Sequence, residues 1–100
     1  MSIDVVETSE LPNVGAPVTS LIDTDKVRAL LVNLEAGKSL AACKMDFPVL
    51  YYVIEGRGVL SVGEEQANLK SGSVTVVPAG IVRSLAAREH LRILAVQSLW

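Results

Sequence analysis

The chain is poor in the residue types on which much small-protein chemistry depends. Its 100 residues include one cysteine, Cys43, and one histidine, His90. A lone thiol closes no internal disulfide, which excludes a cross-linked scaffold and fits a reducing, cytoplasmic setting. His90 stands beside Glu89 and Leu91 in a segment that begins polar, so a solvent-facing position is expected. No spacing sets it against Cys43 as an activating base. Ser61, Ser71, Ser73 and Ser84 lack the glycine pattern of a nucleophile elbow. Basic residues are few and scattered, with a formal charge of −2, so no stripe exists to follow a phosphate backbone and nucleic acid is not an expected partner. Long apolar runs are missing too. The stretches 29–32 and 74–77 are far too short to span a bilayer, and Met1-Ser2-Ile3-Asp4 lacks the basic start and apolar run of a secretory signal. No membrane role is expected.

What the chain does have is apolar content. Half of its residues are hydrophobic, enough for one domain with a thin core. Self-association would bury more surface, so a homodimer is expected. The turn-forming segment Leu11-Pro12-Asn13-Val14-Gly15-Ala16-Pro17 sets an N-terminal arm, residues 1–24, apart from a body, residues 25–100, within the same domain. Short strands are expected in the arm at 3–6 and 18–22, followed by a turn at Asp23-Thr24-Asp25-Lys26.

The strand signals are stronger in the second half. Val49-Leu50-Tyr51-Tyr52-Val53-Ile54 is rich in β-branched and aromatic residues and stops at Glu55-Gly56-Arg57-Gly58, which reads as a hairpin. It is not a dinucleotide fingerprint, since Ser61 stands at the third glycine position. Strands are also expected at 59–62, 66–70, 74–77 and 81–85. Glycine-containing turns separate them, the pattern of an all-β sandwich or barrel. Two segments, 27–34 and 84–97, are rich in Ala and Leu and fit a helix about as well as a strand.

Two motifs in the body resemble those of the cupin superfamily. The first is Gly, five residues, His-x-His, three or four residues, Glu, six residues, Gly. Here Gly37 leads to Cys43-Lys44-Met45, then Val49, then Gly56, with the spacing intact. The second is Gly, five residues, Pro-x-Gly, two residues, His, three residues, Asn. Here Gly72 leads to Pro78-Ala79-Gly80, then Arg83, then Ala87. The resemblance runs from Gly37 to about Gln97. It implies a small all-β jelly roll, the double-stranded β-helix, and it assigns 27–34 and 84–97 to strands.

In the family, three His and one Glu converge inside the barrel on a divalent transition metal. The matching positions here are Cys43, Met45, Val49 and Arg83. None carries an imidazole or a carboxylate, and Arg83 brings a fixed positive charge where a cation would sit. The resemblance therefore implies no metal and no cofactor of the usual kind. Cys43 and Met45 are two apart and would share one face of a strand, either as core fillers or as a soft pair suited to Cu(I). An inward Arg83 would need an internal carboxylate, Asp46 or Glu89, or an anionic ligand, unless its head reaches water at the barrel mouth. Tyr51 shares parity with Val49 and Val53 and would line the interior, with Tyr52 outside. Asp23, Asp25, Glu64 and Glu65 read as solvated, and Trp100 as a cover for a barrel edge or a dimer contact, or as loose.

Three functions fit. The first is a metal-independent barrel binding a small, anionic molecule through Cys43, Met45, Val49, Tyr51 and Arg83. The second is a metal-independent isomerase or lyase using Tyr51 or Cys43 with Arg83. The third is a closed barrel that serves as a structural or dimerisation module.

Overall fold

A computed structural model of the chain describes residues 5–11 and 15–99. Among the described residues there is a short 3-10 turn, Thr8–Glu10, and nine strands. These are β1 (Val18–Asp23), β2 (Val27–Leu34), β3 (Ser39–Cys43), β4 (Val49–Glu55), β5 (Arg57–Val62), β6 (Glu65–Lys70), β7 (Val74–Val77), β8 (Arg83–Ala87) and β9 (Leu91–Ser98). They form two antiparallel sheets, β1-β2-β9-β4-β7 and β3-β8-β5-β6, packed into a jelly roll. The all-β expectation holds, and no helix among the described residues is long and apolar enough to cross a membrane.

Alternation explains most of the strands. In β4, Val49, Tyr51 and Val53 are buried while Leu50 and Tyr52 are exposed. In β8, Arg83, Leu85 and Ala87 point inward. The segment 84–97 is neither one helix nor one strand, because Arg88-Glu89-His90 turns the chain from the smaller sheet into the larger. There β9 is flanked by β2 along its whole length and by β4. That pairing and the burial it brings outweigh the helical leaning of Ala and Leu. Inward ranks run Leu30–Ala95–Tyr51–Thr75, Val32–Ile93–Val53 and Arg28–Gln97–Val49–Val77. Val49, Val53, Leu91 and Ile93 are almost wholly buried, each contributing about 1.5–3 kcal/mol.

The N-terminal arm contributes β1, which pairs with β2 at the sheet edge. Val5 and Val6 lie outside any strand, and the rest of the expected strand at 3–6 lies outside the described residues, as does Trp100. The turn between β1 and β2 is held by Thr24, whose Oγ1 accepts from the Val27 N–H at 3.0 Å.

The expected hairpin at 55–58 is not one. β4 and β5 belong to different sheets, and Gly56 is the corner between them. Gly56 has φ +95, and a Cβ there would collide with the His90 carbonyl. At Gly58 a Cβ would lie 2.5 Å from the Ala86 oxygen and 2.6 Å from Leu91 Cδ2, so β5 and β8 meet only because that side chain is missing. In β3 the register shifts between Leu40 and Cys43. Leu40 faces Leu85 and Cys43 faces Arg83, so β3 carries one extra residue there, a β-bulge.

Candidate functional site

Arg83 defines the site. Its inward position on β8 leaves the residue 2% exposed, the largest side chain among the fully buried ones. Nε donates to the Ile81 carbonyl at 3.3 Å, Nη1 to the Tyr51 hydroxyl at 3.4 Å and Nη2 to the Pro78 carbonyl at 3.4 Å. All three bonds are long and all three acceptors are neutral. Neither expected carboxylate meets it: Asp46 is exposed, and Glu89 pairs with Arg57 at 3.5 Å on the surface. The expectation of a head in water is also corrected, since the residue is enclosed. A buried guanidinium without an anion is costly, and neutral carbonyls offset only part of that cost.

Tyr51 is 7% exposed and reaches Arg83 across the barrel, as its parity with Val49 and Val53 predicts. Val49, beside it, is 1% exposed. Sequence reasoning missed Gln97, which stands directly opposite Val49 and diagonal to Tyr51. Gln97 is 5% exposed, and its Oε1 finds no partner among the described residues. Its alternation with Ile93 and Ala95 carried the signal. Thus Arg83, Tyr51 and Gln97 are buried polar groups in an interior that is otherwise mostly apolar.

Cys43 and Met45 do not form the interior pair expected of them. β3 ends at Cys43, so the strand rule that would align Met45 with it no longer applies. The register puts Cys43 opposite Arg83, but it is exposed. Met45 is half-buried against the core, and its carbonyl accepts from the Gly80 N–H at 2.8 Å, tying the 44–48 loop to the Pro78-Ala79-Gly80 turn. His90 is half-buried rather than solvent-facing, with Nε2 at 2.6 Å from Asn33 Oδ1.

These side chains do not suit a divalent transition metal. The four family positions provide a thiol, a thioether, a hydrocarbon and a cation, and among the described residues no three of His, Cys, Asp and Glu gather in one place. An open cleft of about 590 Å³ lies outside the barrel, lined by Arg57, Asn68, Lys70, Ser73 and Arg88. Its charged side chains are exposed, and Arg57 is partnered by Glu89.

The comparisons agree with this architecture. No protein-family model matches the chain. A cupin superfamily protein from Desulfitobacterium hafniense superposes with a TM-score of 0.82 at 19% identity, over 98% of this chain and 97% of that one. Salicylate 1,2-dioxygenase from Pseudoaminobacter salicylatoxidans superposes with a TM-score of 0.78 at 21% identity, over 90% of this chain and 27% of that one. The fold is that of the cupin superfamily. The chain belongs to one family with the uncharacterized protein SCO3923 of Streptomyces coelicolor, to which it is 31% identical over 97 residues, 96% of this chain and 91% of that protein.

Proposed function

We propose that the barrel is a metal-independent binding domain for a small carboxylate, with Arg83 as its anchor. The observation that carries this reading is a guanidinium 2% exposed and held, among the described residues, only by neutral oxygens. An entering carboxylate replaces weak acceptors with a charge-assisted pair. Tyr51 adds a hydroxyl beside the same Nη1, and Gln97 Oε1 accepts from any donor the ligand carries. Val49, Val77 and Ala95 favour an apolar body behind the carboxylate. The reading is tested by calorimetry with benzoate as probe. Arg83→Met should weaken binding at least about tenfold, near 1.4 kcal/mol. Equal affinity for wild type and variant would overturn it, as would a stoichiometric Fe, Mn, Ni or Zn ion in the purified protein.

The Tyr51–Arg83 contact favours a second reading, in which the barrel is a metal-independent isomerase or lyase. Tyr51 would then move a proton while Arg83 stabilises negative charge. Cys43, exposed at the end of β3, is the weaker candidate for that role. Turnover retained in Tyr51→Phe, together with a Cys43 thiol that reacts with iodoacetamide no faster than a free thiol, would remove this reading.

A further inference from the structure

Three of the chain's nine Lys and Arg stand side by side on the outer face of the smaller sheet. Arg57 on β5 is directly opposite Lys70 on β6. On the other flank of β5, Gly58 pairs with Ala87, and one place further the Arg88 N–H donates to the Arg57 carbonyl at 2.9 Å. The sheet thus gathers into one row residues from three separate parts of the chain, which is why no basic stripe shows in the sequence. Like charges directly opposite one another in a sheet repel, so the row works against the fold. Glu89, 3.5 Å from Arg57, offsets one of the three charges. Among the described residues neither Lys70 nor Arg88 has an ion-pair partner. The row lines the open cleft of about 590 Å³, with Asn68 and Ser73 beside it and no carboxylate in its wall. Ser73 Oγ accepts from the Lys70 N–H at 3.0 Å, which holds the hydroxyl in place and leaves its proton to donate. The next row along, Ala86–Val59–Asn68, is uncharged.

We propose that this cleft binds a small polyvalent phosphate, a diphosphate or a phosphate monoester free in solution, at a site separate from the barrel interior. The row crosses two strand spacings, about 10 Å. That length suits one or two phosphoryl groups and is too short to follow a polymer. Arg57 and Arg88 present planar forks that match phosphate oxygens in pairs, and Lys70 adds a point charge. Asn68 and Ser73 add neutral donors at the same wall. Cations around one cleft focus their field on its centre, so a polyvalent anion gains more there than a monovalent one. A bound phosphate also relieves the repulsion between Arg57 and its two neighbours. The carboxylate site is elsewhere: Val62, not Arg57, stands opposite Arg83, and the run of β5 between them is about 17 Å long.

The test is isothermal titration calorimetry of the full chain with pyrophosphate at an ionic strength of about 0.15 M. One equivalent should bind, with a dissociation constant below about 1 mM. Lys70→Gln with Arg88→Gln should weaken binding at least about 20-fold. Lys38→Gln with Lys44→Gln makes the same change of net charge at exposed positions outside the cleft, and should leave the affinity unchanged within about twofold. Benzoate, the probe for the interior, should not displace pyrophosphate, so either site can fail while the other stands. Should the first double variant fail to fold, amide shifts of wild type take its place. Those of Arg57, Lys70 and Arg88 should move with pyrophosphate, and that of Arg83 should not. No binding up to about 10 mM pyrophosphate overturns the proposal, as do equal losses in the two double variants. Adsorption to vesicles containing phosphatidic acid without affinity for pyrophosphate overturns it too, since the phosphate would then be a lipid headgroup.

Discussion

Two arginines are buried on opposite sides of the larger sheet's backbone, and their surroundings differ in kind. Arg92 lies in the row of Asn33 and Glu55, on the outer side, and is 5% exposed. Its Nη2 donates to the Thr8 carbonyl at 2.8 Å and Nη1 stands 3.5 Å from Glu55 Oε1, although Nε finds no acceptor among the described residues. Among the described residues, Arg83, inside the barrel, meets no anion and makes no hydrogen bond shorter than 3.3 Å. One guanidinium ties the N-terminal turn to the sheet and has a counter-charge. The other does neither for the fold. That difference supports the proposal of an anionic ligand for Arg83.

That contrast can be broken by substitution. Arg92→Ala has the largest expected effect, a loss of about 3 kcal/mol in urea unfolding. It leaves the Thr8 carbonyl without its donor and opens a cavity. An unchanged midpoint would remove Arg92 from the structural side of the comparison. Arg83→Met should be neutral or stabilise the ligand-free protein by about 1–2 kcal/mol, since a hydrocarbon of similar length replaces an unpaired charge. A loss of 3 kcal/mol there would make Arg83 a structural residue as well. Tyr51→Phe should cost about 1 kcal/mol in wild type and close to nothing in the Arg83→Met background, because the hydroxyl's partner is gone. Equal costs in both would mean that the Tyr51–Arg83 contact carries no energy. Glu55→Gln should move stability least, by under about 1 kcal/mol, since that carboxylate is 49% exposed and screened.

Much of the fold could be read from residue types. The alternation of Val49, Tyr51 and Val53 announced β4, and glycines 37, 56, 72 and 80, all at positive φ, marked the corners. Residues 27–34 and 84–97 were ambiguous because their strand character comes from neighbours in the sheet, not from Ala and Leu. The apparent hairpin at 55–58 misled because a glycine corner between two sheets and a glycine turn within one look alike in sequence. At the site, Arg83 and Tyr51 were legible from spacing and parity. Gln97 was legible by the same rule. Arg92 was not, because its cover comes from Thr8, 84 positions away in the chain. The places of Cys43 and Met45 depended on where β3 stops, which no local pattern announces.

The extra residue in β3 has a chemical consequence. Had the strand run on from Leu40 without it, Ala42 would stand across from Arg83, and that position would offer nothing reactive. The bulge puts sulfur there instead. The thiol is exposed, so the end of β3 presents a nucleophile to solvent directly across the ladder from the strand that carries the buried guanidinium.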